Sequence, residues 1–111
     1  MSGPVPSWKV LVLDLFHLHD DDEHYEIEGF ATVEQAREFC RRFNLGSLRH
    51  CWTAGMTADE AVTNWVAFGE AASVIGDPER TSSSAMVQEM AQAGLPDDPA
   101  AYDHKALDPR R

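Results

Sequence analysis

In the N-terminal part of the chain, the pattern of apolar and polar residues predicts two β-strands that differ in how many of their faces are apolar. Between Trp8 and Phe16 apolar residues occupy both sides of an extended chain, whereas between Tyr25 and Phe30 they alternate with glutamates. A strand with one solvated face alternates cleanly, and a strand that is apolar on both faces needs cover on both. The pattern predicts a β-hairpin over residues 8–30, with its first strand central in a sheet or at a subunit interface.

A first helix is predicted to follow the hairpin. Thr32 and Gln35 are spaced as a capping box, in which each side chain satisfies a backbone N–H at the helix start. The helix therefore begins near residue 33, and it either ends at 44–46 or continues through Gly46 toward residue 50. The apolar stripe leaves outward-facing positions to three arginines, Arg37, Arg41 and Arg42.

A second helix, a third strand and a third helix are predicted next. Thr57 and Glu60 form another capping box, and Gly69 is expected to end that helix in a left-handed conformation. Residues 71–75 are predicted to pair with the hairpin, since two strands alone are marginally stable in water. Apolar residues at helical spacing predict a third helix over 85–93.

The C-terminal tail carries the signals of one more short helix. Aspartate at 98 suits a helix cap and proline at 99 suits the first helical position. Tyr102, Ala106 and Leu107 are expected to dock this helix. The organisation predicted is an irregular lead-in over 1–7, one domain over 8–94 and a tail over 95–111.

These elements together predict a small two-layer α+β domain. An antiparallel hairpin, extended to three strands if 71–75 joins it, packs with three to four helices. A chain of 111 residues with 43% hydrophobic content is suited to one such core.

Charge and apolar content limit the classes of partner. Nineteen acidic residues oppose nine basic ones, a net charge of −10, which disfavours direct binding to a phosphate backbone. No apolar run approaches the roughly 20 residues that span a bilayer, so a membrane location is not expected. No secretory leader is recognisable, and a cytoplasmic protein with both cysteines reduced is predicted.

The turn of the hairpin concentrates the acidic charge. From Val10 to Phe30 there are seven acidic residues and no basic one. Such a tip is suited to docking a basic protein partner, and it is equally typical of a solvated turn. The docking hypothesis assigns the contact to four tip residues, Asp20, Asp21, Asp22 and Glu23.

The same segment offers nitrogen and oxygen ligands. Its histidines and one aspartate are the donors that zinc or another divalent ion accepts, and they would suit a metal-binding protein or a small metal-dependent hydrolase. The candidate ligands are His17, His19, Asp21 and His24. The closed four-ligand spacing of structural zinc sites is missing, so no cofactor is the first expectation and a divalent metal is the alternative.

Other chemistry receives less support. His50 and Cys51 are neighbours on a predicted helix and point apart, so they do not form a nucleophile and base pair, and Cys40 is expected in the core. We predict no catalytic residue. An acidic mimic of nucleic acid is a third function. A homodimer would cover the two-faced strand or the segment around His50-Cys-Trp52 if one chain leaves either of them uncovered.

Several short motifs resemble a group of small uncharacterised bacterial proteins. The shared features are Trp8-Lys-Val10, Asp14-x-Phe16-His17, an acidic turn, Phe30-Ala-Thr32, Cys40-Arg41, Gly55-Met-Thr57 and Phe68-Gly-Glu70. The resemblance covers residues 8 to about 70 and implies that the hairpin and first two helices form one unit. It implies no activity and no catalytic residue. This chain departs from the group at Ala71-Ala-Ser73, which weakens the prediction of a third strand.

The function predicted from the sequence is a non-catalytic, cytoplasmic protein-interaction module that docks its partner through the acidic tip. Metal binding at the histidines and mimicry of nucleic acid are the alternatives.

Overall fold

The computed structural model describes residues 7–15, 24–79 and 82–110 and has the predicted α+β architecture. A three-stranded antiparallel sheet packs with three α-helices. In chain order the elements are β1 (Trp8–Asp14), β2 (Tyr25–Phe30), α1 (Val33–Cys51), α2 (Ala58–Phe68), β3 (Glu70–Ile75) and α3 (Ser83–Ala93), followed by two short 3-10 helices (Pro99–Tyr102 and Lys105–Leu107). Within these described ranges, no helix has the length and apolar character needed to cross a membrane.

The sheet has the order β2-β1-β3, and both strand pairs are antiparallel. β1 is therefore central, and the predicted third strand pairs with it. Val12 lies opposite Tyr25 on one side and opposite Ala72 on the other. A bulge interrupts the β1–β2 pairing next to Gly29, whose φ of +102° is a conformation that glycine adopts at low cost.

One face of the sheet and the α1 helix enclose the larger core cluster. Val10, Val12 and Ile27 from the sheet pack with Phe39 and Cys40 from α1, and all five side chains are buried. A second cluster lies among the helices, where α2 and α3 contact α1. Its buried members are Leu48, Cys51, Ala61, Trp65, Ala71, Val87 and Ala91.

The opposite face of β1 is less well covered. Leu11 and Leu13 are half-buried, and Ile75 on the neighbouring strand is 40% exposed. The central position of β1 is thus as the two-faced pattern predicts, but the described residues cover the face toward α1 more fully than the opposite face.

The end of α1 agrees with one of its two predicted alternatives, whereas the conformation at the end of α2 differs from the prediction. α1 continues through Gly46 to Cys51, because Leu45 and Leu48 extend its buried stripe beyond the glycine. The prediction of a left-handed Gly69 is wrong, since its φ of −85° and ψ of −173° are extended backbone. Glycine is required there because a Cβ atom would lie 2.5 Å from the Trp65 ring.

The C-terminal tail packs on α1 and the sheet. Leu107 contacts the larger core cluster, and the His104 ring lies edge-on to the rings of Phe39 and Phe43 at centroid distances of 5.5 and 5.0 Å. Docking through Leu107 is as predicted. Ala106 is exposed, so the prediction that it helps to dock the tail is wrong.

Candidate binding groove

The outer edge of β3 ends the sheet, and α1 closes its first half. The Asn44 side-chain amide donates to the Ala72 carbonyl at 2.9 Å and accepts from the Ala72 N–H at 2.7 Å. The Ser47 hydroxyl accepts from the Glu70 N–H at 2.9 Å. Asn44 is completely buried. The two side chains thus satisfy outward backbone groups of β3 as a neighbouring strand would.

The second half of the same edge opens into a groove. Backbone groups of an antiparallel strand alternate between its two neighbours with a period of two residues. Because the Ala72 N–H and C=O point away from β1, those of Val74 point the same way. Among the residues that the structure describes, no side chain bonds to them as Asn44 bonds to Ala72.

The groove lies between the N-terminal half of α1 and α3, with β3 beneath it. It encloses about 470 Å³. Its floor is apolar and consists of Cys40, Val74, Met86 and Met90, whereas its rim is charged. Methionine side chains adapt to differently shaped partners, so this floor is suited to apolar side chains of several sizes.

One end of the groove is closed by an ion pair between α1 and the turn after β3. Arg37 donates from Nε and Nη2 to the Asp77 carboxylate at 2.7 and 2.6 Å, and its Nη1 lies 3.7 Å from Glu79. The Arg37 hydrogen bonds hold the pKa of Asp77 down at about 2, below its usual value of 3.8. Arg37 is partly exposed, as its position outside the apolar stripe predicts, and its ion pair also fixes the β3 turn to α1.

In a second group of charges beside the groove, two arginines pair with one glutamate. Arg41 donates two hydrogen bonds to Glu38 at 2.9 and 2.7 Å, and Arg42 donates one at 2.9 Å. These bonds, led by those from Arg41, lower the pKa of Glu38 to about 2. Glu38 is consequently ionised at any physiological pH.

The remaining rim carboxylates give the groove an acidic character. The described lining residues include four acids, Glu34, Glu38, Asp77 and Glu89, against two arginines, Arg37 and Arg41. Glu34 and Glu89 are both exposed, and Glu89 has no ion-pair partner within the described ranges. A positively charged ligand would therefore be favoured at the rim.

The cysteine in the floor is not a nucleophile. Cys40 is 1% exposed, and burial followed by the nearby Asp77 charge raises the pKa of its thiol to about 12. A thiol with so high a pKa stays protonated at neutral pH and behaves as a small apolar group. Cys51 is also buried and His50 is exposed, so these neighbours point apart as the helical spacing predicts.

A second cavity of about 400 Å³ lies where the C-terminal tail meets α1 and the end of α2. His50, His104 and Glu70 line it together with several aromatic rings. The Nδ1 atom of His104 is shielded from solvent and has no hydrogen-bond partner within the described part of the chain. The ring contacts of His104 give it a packing role against α1.

The predicted tip residues lie mostly outside the described residues. This holds for His17, His19, Asp20, Asp21, Asp22 and Glu23, so the docking and metal-binding predictions for them stay predictions. His24 is described and half-buried, and its Nε2 atom is shielded and has no hydrogen-bond partner within the described ranges. In those ranges no three histidine, cysteine, aspartate or glutamate side chains cluster as metal ligands would.

The residues that shape the groove were not predicted from the sequence. In the sequence, Asn44 is noticed only as a residue that weakens the helical pattern. An asparagine at a buried position of an apolar stripe nevertheless needs hydrogen-bond partners. Asp77, which precedes a proline in a turn, carries no mark that would pair it with Arg37 forty residues earlier. The need of Asn44 for partners could have been predicted from the sequence, whereas the pairing of Asp77 with Arg37 could not.

Comparison with known proteins found no matching family, no similar curated protein and no similar solved structure. The resemblance to small bacterial proteins accordingly remains a prediction.

Proposed function

We propose that this protein is a protein-interaction module that binds a basic, apolar segment of a partner protein in the groove between α1, β3 and α3. The observation that carries the proposal is the combination of an apolar floor and an acidic rim beside a sheet edge. Peptide-binding sites are typically built in this way, with apolar pockets for side chains and a few polar groups that orient the ligand.

The floor and the rim would contribute in different ways. Burial of an apolar side chain against Met86, Met90 and Val74 would supply most of the binding free energy, because it removes apolar surface from water. The exposed carboxylates of Glu34 and Glu89 would mainly speed association and select basic partners over acidic ones. The predicted docking tip, Asp20 to Glu23, would add to the same preference for basic partners.

Selection from a displayed library of random peptides tests this proposal. Peptides enriched on the wild-type protein are expected to combine an apolar residue with flanking arginine or lysine. They should bind more weakly to the double variant Glu34→Lys and Glu89→Lys, in which both rim charges are reversed.

A matched control carries the same change in net charge away from the groove. Glu26 on β2 and Asp97 after α3 are exposed and do not line the groove, so Glu26→Lys with Asp97→Lys should leave the selected peptides bound. Melting curves of both double variants verify that each is folded. A selection without enrichment, or peptides that tolerate both double variants equally, would refute the proposal.

A divalent-metal site that includes His24 is the second candidate. The observation in its favour is that the His24 Nε2 atom is shielded and has no hydrogen-bond partner among the described residues, since an imidazole nitrogen without such a partner can bind a metal ion. Elemental analysis of the protein purified with and without added zinc tests it. His24→Ala should abolish stoichiometric zinc, and the exposed His50→Ala should not; equal zinc content in both variants would count against the site.

The cytoplasmic location and the homodimer also remain proposals. The half-covered sheet face around Leu11, Leu13 and Ile75 is the described surface that a second copy could cover. Light scattering at several concentrations measures the oligomeric state directly.

A further inference from the structure

We infer that the partner segment binds as an added antiparallel β-strand, through hydrogen bonds to the N–H and C=O of Val74. This inference rests on the proposed function and specifies how the groove recognises its ligand. Its basis is the way the outer edge of β3 is satisfied, residue by residue.

The outward groups of β3 fall at every second residue. Ser47 satisfies the Glu70 N–H, and Asn44 satisfies both groups of Ala72. Val74 is the next position in this series, and its register opposite Val10 matches that of Ala72 opposite Val12. The side-chain pairing that closes the first half of the edge therefore stops one step before the groove.

The groove supplies space for a strand at this position. Its lining includes Ser73 and Val74 from the strand, Cys40 from α1, and Met86 and Met90 from α3. An unpaired strand edge next to an apolar cavity is the arrangement used in recognition by strand addition, where main-chain bonds give affinity and alternate side chains fill pockets. The Arg37–Asp77 pair ends the site, so only a short segment fits.

The pleat determines which ligand positions face the groove. A residue directly opposite Val74 would project its side chain to the same face as Val74, which packs toward the core and the groove floor. Its two neighbours would project to the opposite face of the sheet. The residues two positions away would again face the helices, where the carboxylates of Glu34 and Glu89 lie on the rim. The ligand pattern is thus basic, polar, apolar, polar, basic.

The test uses the blocked pentapeptide Arg-Thr-Leu-Thr-Arg and amide chemical shifts of the ¹⁵N-labelled full chain. Addition of the peptide should shift the amide signals of Ser73, Val74 and Ile75, and the acidic counterpart Glu-Thr-Leu-Thr-Glu should bind at least several-fold more weakly. The central leucine would exchange two hydrogen bonds with Val74, whereas the threonine N–H groups would point away from β3.

Two singly N-methylated peptides separate strand addition from simple filling of the groove. N-methylation of the leucine removes the donor to the Val74 carbonyl and should weaken binding by about tenfold. A tenfold loss of affinity corresponds to the upper end of the net free energy that one backbone hydrogen bond contributes. N-methylation of the threonine after it changes size and stiffness similarly but removes no bond to β3, so affinity should be retained.

The outcomes distinguish this inference from the proposed function. Equal binding of the two N-methylated peptides at the Val74 region would overturn strand addition and leave groove binding in place. Weaker binding of the threonine analogue alone would overturn the antiparallel arrangement. Absence of any shift at residues 73–75 with the parent peptide would overturn the inference, while the library selection decides the proposed function independently.

Discussion

The two halves of the outer edge of β3 differ in what satisfies their backbone. At Ala72 a buried asparagine from α1 replaces the missing neighbouring strand, with two hydrogen bonds of 2.9 and 2.7 Å. At Val74, two residues further on, the same backbone groups face a groove with an apolar floor. One strand thus has a closed half that belongs to the fold and an open half that is suited to a ligand.

This difference shows how a small domain handles an exposed sheet edge. Unpaired edge strands invite association with other chains, and proteins cover or interrupt them. Here α1 covers the first half of the edge, and Asp77 with Arg37 limits the open half to a short stretch. A partner segment can therefore be admitted without a long edge being exposed to aggregation.

The largest expected effect comes from opening the closed half. Asn44→Ala leaves the Ala72 N–H and C=O buried without partners, and each such group costs about 1 to 3 kcal/mol. We expect the free energy of unfolding to fall by about 3 kcal/mol, measured by urea denaturation.

The control for this variant is Ser47→Ala. Ser47 bonds the exposed Glu70 N–H, which water can satisfy instead, so the loss should stay below about 1 kcal/mol. Equal losses in the two variants would mean that burial does not distinguish the two edge contacts.

A smaller loss of stability is expected from a substitution at Gly69, next to the closed half of the edge. Gly69→Ala places a Cβ atom against the Trp65 ring at 2.5 Å and against the Trp65 carbonyl at 2.8 Å. Trp65 is buried and donates to the Glu70 carbonyl, so it cannot move freely. The expected destabilisation is about 2 kcal/mol by thermal or urea unfolding.

Gly46→Ala is the matched control, and it is expected to increase the stability of the protein. A Cβ at Gly46 meets nothing within 4 Å, and alanine is favoured over glycine inside a helix by about 0.5 to 1 kcal/mol. A destabilised Gly46→Ala variant would show that α1 is not a regular helix at this position.

The ion pair that ends the open half predicts a pH dependence. The pKa of Asp77 is lowered in the folded chain from 3.8 to about 2. Its contribution to stability is therefore fully present above about pH 4 and is lost as the pH falls toward 2. Asp77→Asn should lower the Tm at pH 7 and flatten its decline between pH 4 and 2.

The exposed Asp97→Asn variant controls for the general loss of a carboxylate. Its Tm should follow the wild-type curve throughout this pH range. An Asp77→Asn curve that stays parallel to wild type would show that the Arg37 contact does not stabilise the fold in solution.

The smallest expected effect is a difference in amide exchange rate between the closed and the open half of the β3 edge, measured within one molecule. In hydrogen exchange followed by NMR, the Ala72 amide should exchange more slowly than the Val74 amide, because the Ala72 N–H has a buried acceptor and no described side chain accepts from the Val74 N–H. Binding of the blocked pentapeptide should slow Val74 and leave Ala72 unchanged. Equal protection of both amides in the free chain would show that the edge is closed along its whole length.

Local signals in the sequence account for much of the fold. Thr32 and Thr57 mark the starts of α1 and α2: Thr32 accepts a hydrogen bond from the Gln35 N–H, and Thr57 forms a full capping box with both of its hydrogen bonds. The two-faced pattern of residues 8–16 predicts the central strand. The end of α1 could not be predicted from Gly46, because contacts made by Leu45 and Leu48 elsewhere in the fold outweigh the low helix propensity of one glycine.

Local signals in the sequence do not predict the groove. Its floor combines residues from α1, β3 and α3, and its charge depends on which carboxylates the arginines have already neutralised. The acidic tip is conspicuous in the sequence, since a run of like residues is visible along the chain. A site assembled from distant segments has no such run.

The class of fold, the central position of β1 and the starting points of the first two helices are all encoded locally in the chain. These features depend on periodicity and capping, which act over a few neighbouring residues. The packing of the elements, in contrast, determines that Asn44 closes one half of an edge, that Arg37 fixes Asp77 and that the space between them is open. Hydrogen bonds and ion pairs between residues 28 and 40 positions apart depend on that packing, and no local pattern encodes it.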